Sequence, residues 1–357
     1  MEKILIDGMT NNMGGLEKFI YTIYTLLKAE YQVDFITADK NIPFEQEFKE
    51  NGSVVYKITP RAESIIKFKR DIKNVLKDGK YDVLWFNKTT LSTIDSIRIA
   101  KKYGVKKIIC HSHASKNMGG QFTLFMHMFN RSRINAYVNC KLACSTEAAK
   151  WFYGTQIRDV KIINNAVDVD KYLPDRKRIK YEKEKLHLDG KLVLGHVGRF
   201  SAEKNHVFLI DIFCELCKMI PSHLVLCGTG PLFDEIQKYA EKKGIEDKIS
   251  FLGVRSDIPE ILQAIDIVVF PSIHEGLPFV LVEAQAAGIP CIVSEEVSRE
   301  AKLTDIMEFV NLNAGIDAWI SAILKYKDYK KVSKKEELLK KGFTLENTKE
   351  EINKILG

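Results

Sequence analysis

The segment 198–205 (GRFSAEKN) carries two cations in a setting that suits a phosphorylated ligand. Arg199 and Lys204 are five residues apart, between a strand-like run and a helical pattern. Two cations in such a loop can converge on a diphosphate and stabilise it as a leaving group. A solvated loop is the alternative interpretation, so this segment alone only suggests chemistry on a nucleotide diphosphate.

A second segment, 274–283 (HEGLPFVLVE), places Glu275 and Glu283 eight residues apart after the apolar run DIVVFPS. Glu283 falls about one turn into an otherwise apolar helix, where a carboxylate is costly to bury unless it has a partner. A vicinal diol such as a ribose is one suitable partner. A glutamate at a partly exposed helix edge is the alternative. Gly276 and Pro278, between the two carboxylates, make a tight loop whose N–H groups can face a ligand.

Two loops in the first half of the chain complete the candidate chemistry. Gly14 and Gly15 follow the first strand-like run and open a helix, where glycine permits close approach and unpaired N–H groups favour phosphate. A plain tight turn is equally compatible with this pattern. In CHSHA (110–114), strand alternation places His111 and His113 on one side. A polar active-site role for His113 is favoured over a metal site, because no third ligand lies nearby.

Short β-rich runs alternate with amphipathic helical stretches along the whole chain, which predicts an α/β protein with parallel sheets and crossover helices. The series restarts near residue 190, after a highly charged segment, and 357 residues are enough for two domains. We therefore predict a Rossmann-like domain over 1–170, a linker with a short entry helix over 171–190 and a second Rossmann-like domain over 191–342. The C-terminal helix 343–357 is expected to pack back on the first domain.

Composition favours a cytoplasmic enzyme and argues against several other classes. No stretch approaches the roughly 20 consecutive apolar residues of a membrane span, and the N-terminus lacks the pattern of a signal peptide. The seven cysteines read as buried, reduced side chains, and the pair in FCELCK has no second pair to complete a zinc site. No basic and aromatic groove motif indicates nucleic acid.

The formal net charge of +7 is unevenly distributed. Residues 61–110 hold 13 Lys and Arg against 5 Asp and Glu, and IIKFKRDIKNVLK has apolar and basic residues at helical spacing. This pattern indicates either a face for an anionic membrane surface or substrate, or a solvated helix face. The first is favoured by the function that the motifs imply, with the protein at the inner face of the cell membrane.

Taken in order, these motifs resemble retaining glycosyltransferase family four, which has the GT-B architecture, and especially enzymes of bacterial capsular and exopolysaccharide biosynthesis. The resemblance spans nearly the whole chain, and its most specific part is an E-x7-E signature formed by Glu275 and Glu283. Gly228-Thr229-Gly230-Pro231 and NNAVD (164–168) depart from the common forms of two family motifs. The matching fragments are GGLEKF, HSHA, CST, NNAVD, GRFSAEKN, GTGP, FLGVRSD and EGLPFVLVEAQAAGIP.

The resemblance implies two Rossmann-like domains facing each other across a cleft, and a role for each matching residue. Arg199 and Lys204 would neutralise the diphosphate, Glu275 would contact hydroxyls of the transferred sugar, and Glu283 would bind the ribose. His113 matches the family's cleft histidine near the sugar, with His111 as the runner-up. The implied catalytic residues are thus His113, Arg199, Lys204 and Glu275. The other implied donor-binding residues are Gly14, Gly15, Val254, Arg255, Gly276, Leu277, Pro278, Phe279 and Glu283.

The implied reaction moves a sugar from a nucleotide-diphosphate sugar, with uridine the base by family habit, to a hydroxyl of a saccharide or polyprenyl-linked saccharide. It would need no cofactor and no metal, since no Asp-x-Asp stands at a strand end. Three alternatives stay open: a nucleotide-sugar epimerase of the same fold, a phosphorylase, for which no suitable cofactor lysine is found, and a non-catalytic nucleotide-sugar-binding subunit.

Overall fold

The computed structural model describes residues 1–117, 119–155 and 157–357, which form two compact units. Unit 1 comprises Met1–Asn165 together with Thr348–Gly357, and unit 2 comprises Ala166–Asn347. This division differs from the one expected from the sequence, because residues 171–190 are part of unit 2 rather than a linker. The last ten residues belong to unit 1, where Lys107 Nζ donates to the carbonyls of Ile355 (2.7 Å) and Leu356 (2.9 Å).

Unit 1 is built on a seven-stranded parallel sheet whose order is β3-β2-β1-β4-β5-β6-β7. The inner strands are continuous apolar runs, as expected where helices cover both faces of a parallel sheet. The strands are β1 (Lys3–Asp7), β2 (Gln32–Thr37), β3 (Val55–Lys57), β4 (Val83–Lys88), β5 (Lys107–Ser112), β6 (Cys140–Ala143) and β7 (Val160–Ile162).

The helices of unit 1 are the crossovers between these strands. In α3 the side chains of Ile72, Val75 and Leu76 pack into the core while lysines line the outer face, the amphipathic pattern that the sequence predicts. The helices are α1 (Gly15–Leu27), α2 (Glu45–Glu50), α3 (Ile65–Gly79), α4 (Asp95–Lys102), α5 (Gln121–Arg131) and α6 (Thr146–Tyr153).

Unit 2 repeats this architecture with a six-stranded parallel sheet in the order β10-β9-β8-β11-β12-β13. Two large hydrophobic clusters cover the two faces of this sheet. The strands are β8 (Leu192–Val197), β9 (Ser222–Cys227), β10 (Ile249–Phe251), β11 (Ile267–Phe270), β12 (Cys291–Ser294) and β13 (Met307–Val310).

The helices of unit 2 begin with two short ones, the first across the start of the segment expected to be a linker and the second within it. The second of these packs against α11, and its Lys183 Nζ lies 2.7 Å from an Asp266 carboxylate oxygen, which explains why the segment folds with unit 2. The helices are α7 (Val169–Tyr172), α8 (Arg176–Lys185), α9 (His206–Met219), α10 (Phe233–Lys243), α11 (Ile258–Ala264), α12 (Phe279–Ala286), α13 (Ile316–Leu324), α14 (Lys335–Lys341) and α15 (Leu345–Leu356), the last ending in unit 1.

Both sheets reverse their strand order once, between β1 and β4 in unit 1 and between β8 and β11 in unit 2. In open parallel sheets, ligands bind outside the carboxyl ends of the strands at such a reversal. We therefore expect a ligand site at the loops that follow β1, β4, β8 and β11. Within the described ranges, no helix combines the length and the apolar character needed to cross a bilayer.

Candidate functional site

The loop after β8 and the loop after β11 bring the two most suggestive charges of unit 2 together. Lys204 Nζ lies 2.6 Å from Glu275 Oε1, and the same ammonium lies 4.5 Å from the centre of the Phe270 ring. Both side chains are largely shielded from solvent. The cation and the first glutamate of the E-x7-E signature thus form an ion pair at the strand-order reversal of unit 2.

Backbone and side-chain hydrogen bonds join the loop after β8 to the loop after β11. Asn205 Nδ2 donates to the Pro271 carbonyl (3.2 Å), and the Ile273 N–H donates to the Glu203 carbonyl (2.9 Å). The Glu275 carbonyl in turn accepts the N–H of Ser298 (3.0 Å), which ties the β11 loop to the segment after β12. The position of the Lys204–Glu275 pair is therefore fixed by the main chain on both sides.

Glycines in the GTGP segment allow the loop after β9 to lie against the loop after β8. A side chain at Gly228 would meet the Gly198 carbonyl oxygen at 2.0 Å, and one at Gly230 would meet the Phe200 carbonyl oxygen at 2.4 Å. Gly228 also has a φ of +131°, a region that favours glycine. The backbone approach that these two glycines permit supports the segment bearing Arg199.

Glu283 lies in helix α12, which is buried from Val280 onward, and is 3% exposed. Its Oε1 accepts a hydrogen bond from the Tyr172 hydroxyl (2.9 Å), a residue of α7. Burial, the Glu283 charge and this hydrogen bond together raise the pKa of Tyr172 well above its usual value, so the phenol stays protonated. The predicted need for a polar partner is met here by a tyrosine, and a ribose diol remains a prediction.

The remaining predicted donor residues of unit 2 lie on the same carboxyl edge. Arg199 is exposed and makes no ion pair with any residue that the structure describes. Val254 and Arg255 follow β10, and Arg255 forms a two-pronged pair with Asp257 (Nε–Oδ1 2.8 Å), which raises the pKa of its guanidinium. The backbone of Gly276, Leu277 and Pro278 leads directly into the first turn of α12.

Two buried histidines behind Lys204 were not expected from the sequence. The His206 ring stacks on Phe200 (centroids 4.2 Å apart, 11° between planes) and meets the His196 ring edge-on at 4.7 Å. Burial, with Lys204 as a smaller cause, lowers the pKa of His206 to about 4. Burial likewise lowers the pKa of His196 well below its usual value, so both rings are neutral packing partners of the loop that carries Lys204.

In unit 1, His113 follows β5, and its Nε2 lies 3.0 Å from Asn87 Oδ1 at the end of β4. Burial lowers the pKa of His113 to about 3. The neighbouring His111 is fully buried within β5, with its ring 4.2 Å from that of His113 and 4.6 Å from that of Phe19 in α1. The two histidines therefore share one side of the sheet, as alternation predicts, and His113 is the more accessible of the two.

The Gly14–Gly15 loop after β1 caps helix α1. The Gly14 N–H donates to Glu17 Oε2 (3.1 Å), and the Thr10 hydroxyl donates to Glu17 Oε1 (2.5 Å). Glu17 is buried, so this end of the helix already holds a carboxylate of the chain itself. A nearby cavity of about 240 Å³ lies at the carboxyl ends of β1, β2 and β4. Its polar lining includes Asp7, whose carboxylate pairs with Lys88 Nζ at 2.8 Å, together with Thr10, Thr37, Asp39 and Asp95.

Asn87 and Tyr172 are the two candidate residues that reasoning from the sequence missed. Asn87 stands at the end of an apolar strand (VLWFNK), and a polar residue at the carboxyl end of a β4 run was a usable signal. Nothing in the sequence around Tyr172 points to the site, because the residue to which its hydroxyl donates, Glu283, is 111 positions away.

Comparison with known proteins identifies the family of the chain. Residues 13–171 match the family described as Glycosyltransferase Family 4, and residues 177–303 match the family described as Glycosyl transferases group 1. The chain is 30% identical over 336 residues to EpsF of Bacillus subtilis (strain 168), a protein whose name describes it as a glycosyltransferase. That match covers 90% of this chain and 86% of EpsF.

Two further similarities bear on fold and relatives. The chain is 32% identical over 178 residues to the Escherichia coli UDP-Gal:alpha-D-GlcNAc-diphosphoundecaprenol alpha-1,3-galactosyltransferase, covering 48% of this chain and 46% of that one. The crystal structure of Anabaena Alr3699/HepE in complex with UDP superposes with a TM-score of 0.80 at 18% identity, covering 100% of this chain and 99% of that one. The chain has the GT-B fold and belongs to glycosyltransferase family 4.

Proposed function

We propose that this glycosyltransferase transfers a sugar from a UDP-sugar to a hydroxyl of a lipid-linked saccharide in polysaccharide biosynthesis, with retention of anomeric configuration and without a metal ion. The observation that carries the proposal is the Lys204–Glu275 ion pair at the strand-order reversal of unit 2, whose lysine shares the loop after β8 with Arg199. The names of similar proteins add support, since one uses UDP-Gal with a diphosphoundecaprenol acceptor and another is a Vi polysaccharide biosynthesis protein. HepE was also crystallised with UDP-glucose.

The chemistry proposed for unit 2 is dissociative. The bond between the sugar C1 and the β-phosphate oxygen breaks, and an oxocarbenium-like sugar forms. Arg199 and Lys204 then absorb the charge that grows on the leaving diphosphate. The acceptor oxygen bonds to C1 from the same face, and its proton passes to an oxygen of the departing phosphate. No side chain is needed as a base in this scheme.

Each remaining residue has a proposed role around the donor. Glu275 orients Lys204 and accepts hydrogen bonds from hydroxyls of the transferred sugar. Glu283 accepts hydrogen bonds from the ribose hydroxyls. In unit 1, His113 faces the sugar in preference to the fully buried His111. The proposed donor contacts through the backbone or at the base are Gly14, Gly15, Val254, Arg255, Gly276, Leu277, Pro278 and Phe279.

The acceptor is proposed to meet unit 1. The cavity at the carboxyl ends of β1, β2 and β4 offers carboxylates and threonine hydroxyls to a saccharide above an apolar floor that includes Phe68 and Phe86. Exposed cations of α3, such as Lys67, Lys69, Arg70 and Lys73, fit contact between unit 1 and an anionic membrane. Both features are compatible with an acceptor whose sugar hangs from a lipid at the inner face of the cell membrane.

Substitution of the ion pair tests this proposal. We expect Lys204→Ala and Glu275→Ala each to lower the rate of sugar transfer by at least about a hundredfold, because each removes a group that acts on the developing charge or holds the cation that does. The measurement is product formation and UDP release with a panel of nucleotide sugars, with and without chelator, on protein whose thermal unfolding is unchanged.

The matched controls are Lys238→Ala and Glu235→Ala, two exposed charges on α10. These should keep full activity. Full transfer by both ion-pair variants would end the assignment, and complete loss of activity in chelator would end the metal-free mechanism. An epimerase would convert the donor sugar without releasing UDP, and a non-catalytic subunit would bind the donor without consuming it.

A further inference from the structure

The outward face of α5 is an apolar stripe. Phe122, Phe125 and Phe129 recur at intervals of three and four residues, which places them on one side of the helix, and they are 75%, 64% and 44% exposed. Met128 and Leu124 beside them are also exposed. Single exposed apolar residues are ordinary, but a contiguous stripe of this size marks an interaction surface.

The inward face of the same helix is polar. His127 Nδ1 accepts the Leu91 N–H (3.0 Å), and Asn130 Nδ2 donates to the Leu91 carbonyl (2.7 Å). The His127 ring also stacks on Trp151, with centroids 4.3 Å apart and 11° between planes. The helix is thus attached to unit 1 by hydrogen bonds, and its apolar side is exposed. An ordinary surface helix does the opposite: it buries its apolar side and exposes its polar side.

The chain around α5 carries only positive charge. Residues 96–146 contain no Asp or Glu, and they contain the nine cations Arg98, Lys101, Lys102, Lys106, Lys107, Lys116, Arg131, Arg133 and Lys141. Two further cations, Arg61 before α3 and Lys69 within it, pair with Asp95, four residues after Leu91, the residue that α5 binds. The segment of chain that bears the apolar stripe is therefore strongly cationic, and Lys106 and Lys141 within it pair with Asp82 and Asp159.

We propose that α5 lies in the interface of an anionic lipid bilayer, with Phe122, Phe125 and Phe129 inserted among the acyl chains and Arg131 and Arg133 at the headgroups. Arg133 already lies over the Phe129 ring at 3.8 Å, which leaves its charge beside the stripe. A helix with an aromatic face and flanking arginines binds such an interface through both apolar burial and attraction to anionic lipid.

The same charges argue against a second copy of the chain as the occupant. A two-fold interface would set this patch against itself, so cations would face cations. The proposal deepens the membrane contact put forward for unit 1 and rests on it, and it names α5 as the inserting element.

The test uses the full-length protein and vesicles of phosphatidylcholine with and without phosphatidylglycerol, at low and high salt. We expect the protein to sediment with the anionic vesicles at low salt. Phe122→Ser combined with Phe125→Ser should weaken this partitioning by at least about tenfold, because two large apolar side chains no longer leave water. The matched control, Met219→Ser combined with Val332→Ser, changes two similarly exposed apolar residues of unit 2 and should bind like the unaltered protein.

A tryptophan reporter tests insertion directly. Phe125→Trp should shift its emission to the blue and be quenched by brominated lipid, whereas Val332→Trp should show neither change. Sedimentation of the Phe122 and Phe125 variant equal to that of the unaltered protein, or a dimer that this variant abolishes in the absence of lipid, would overturn the proposal. UDP release in solution should be the same for the variant and the unaltered protein, so a loss there would point instead to a failure of the proposed transfer site.

Discussion

A single hydrogen bond determines what the His113 ring can do. Asn87 Nδ2 donates to the Trp85 carbonyl (3.2 Å), so its Oδ1 faces His113 Nε2 (3.0 Å). A carbonyl oxygen only accepts, and the low pKa of His113 keeps the ring neutral, so Nε2 carries the proton. Nδ1 is then an acceptor, which suits a hydroxyl of a sugar.

Removing this orienting partner should be visible in both kinetics and spectroscopy. We expect Asn87→Ala to lower kcat by at least about tenfold, the usual cost of losing a group that orients a functional side chain, with little effect on KM. Nitrogen NMR shifts of the His113 ring should show loss of the single tautomer. Asn41→Ala, at an exposed asparagine of unit 1, should change neither quantity.

Asn87→Asp examines the same contact with a charge. A carboxylate beside His113 should raise the pKa of the ring from about 3, because it favours the imidazolium form. Protonation of Nδ1 removes the acceptor, so activity should be lost as the pH falls through the raised pKa. An unchanged acid limb of the rate profile in both Asn87 variants would show that the contact has no part in the reaction.

At the scale of elements, the carboxyl edge of unit 2 depends on loops that touch each other through glycine. The loop after β9 reaches the loop after β8 only because Gly228 and Gly230 lack side chains. Any widening there moves the segment that carries Arg199 and Lys204.

A methyl group at Gly228 should therefore disturb the site as well as the fold. We expect Gly228→Ala to destabilise the protein by about 2–4 kcal/mol and to weaken donor binding, because the new Cβ meets a main-chain oxygen that cannot move alone. Gly244→Ala is the matched control, since Gly244 also has a positive φ (+67°) but nothing lies within 4 Å of the added atom. It should cost about 1 kcal/mol and leave binding intact. The measurements are urea unfolding and UDP titration. If Gly228→Ala and Gly244→Ala lose equal stability and equal donor binding, this account is wrong.

Reading the sequence located most elements but not all of them. Apolar β-rich runs correctly indicated the strands from β1 to β12. The sequence MEFV of β13 was missed because four residues with a central Glu308 show no clear period, and its strand form comes from pairing with β12. The charged run of α8 was expected to be a linker with a short entry helix rather than part of unit 2. Its contact with α11 and the Lys183–Asp266 pair are set by residues far along the chain.

For the candidate site, short sequence patterns predicted which side chains take part, but they did not predict contacts between residues far apart in the chain. The GRFSAEKN and E-x7-E segments identified the side chains that the structure brings together as Lys204 and Glu275. The partner of Glu283, by contrast, is Tyr172 on a different helix, and no local spacing encodes that contact.

At the scale of the whole molecule, one partly buried lysine links the stability of the protein to pH. Lys331 Nζ donates to the carbonyls of Leu262 (3.0 Å) and Gln263 (2.6 Å) at the end of α11. Burial lowers the pKa of this ammonium to about 7, although the Asp266 charge acts in the other direction.

The folded protein should thus release the Lys331 proton near neutral pH, whereas the unfolded chain holds it to about pH 10. Because the unfolded state binds more protons in this interval, the contribution of Lys331 to stability rises with pH. We expect the free energy of unfolding of the unaltered protein, measured against Lys331→Met in urea, to improve steadily from pH 6 to pH 9. A constant difference across that range would show that Lys331 keeps its proton in the folded protein.

The return of Thr348–Gly357 to unit 1 makes unit 2 a continuous insertion within a discontinuous unit 1. The polypeptide crosses between the units twice, so unit 2 is tethered at both of its ends. During synthesis, all of Ala166–Asn347 leaves the ribosome before the segment that completes unit 1. Synthesis of unit 1 therefore begins first, but unit 1 cannot complete its fold until all of unit 2 has been synthesised.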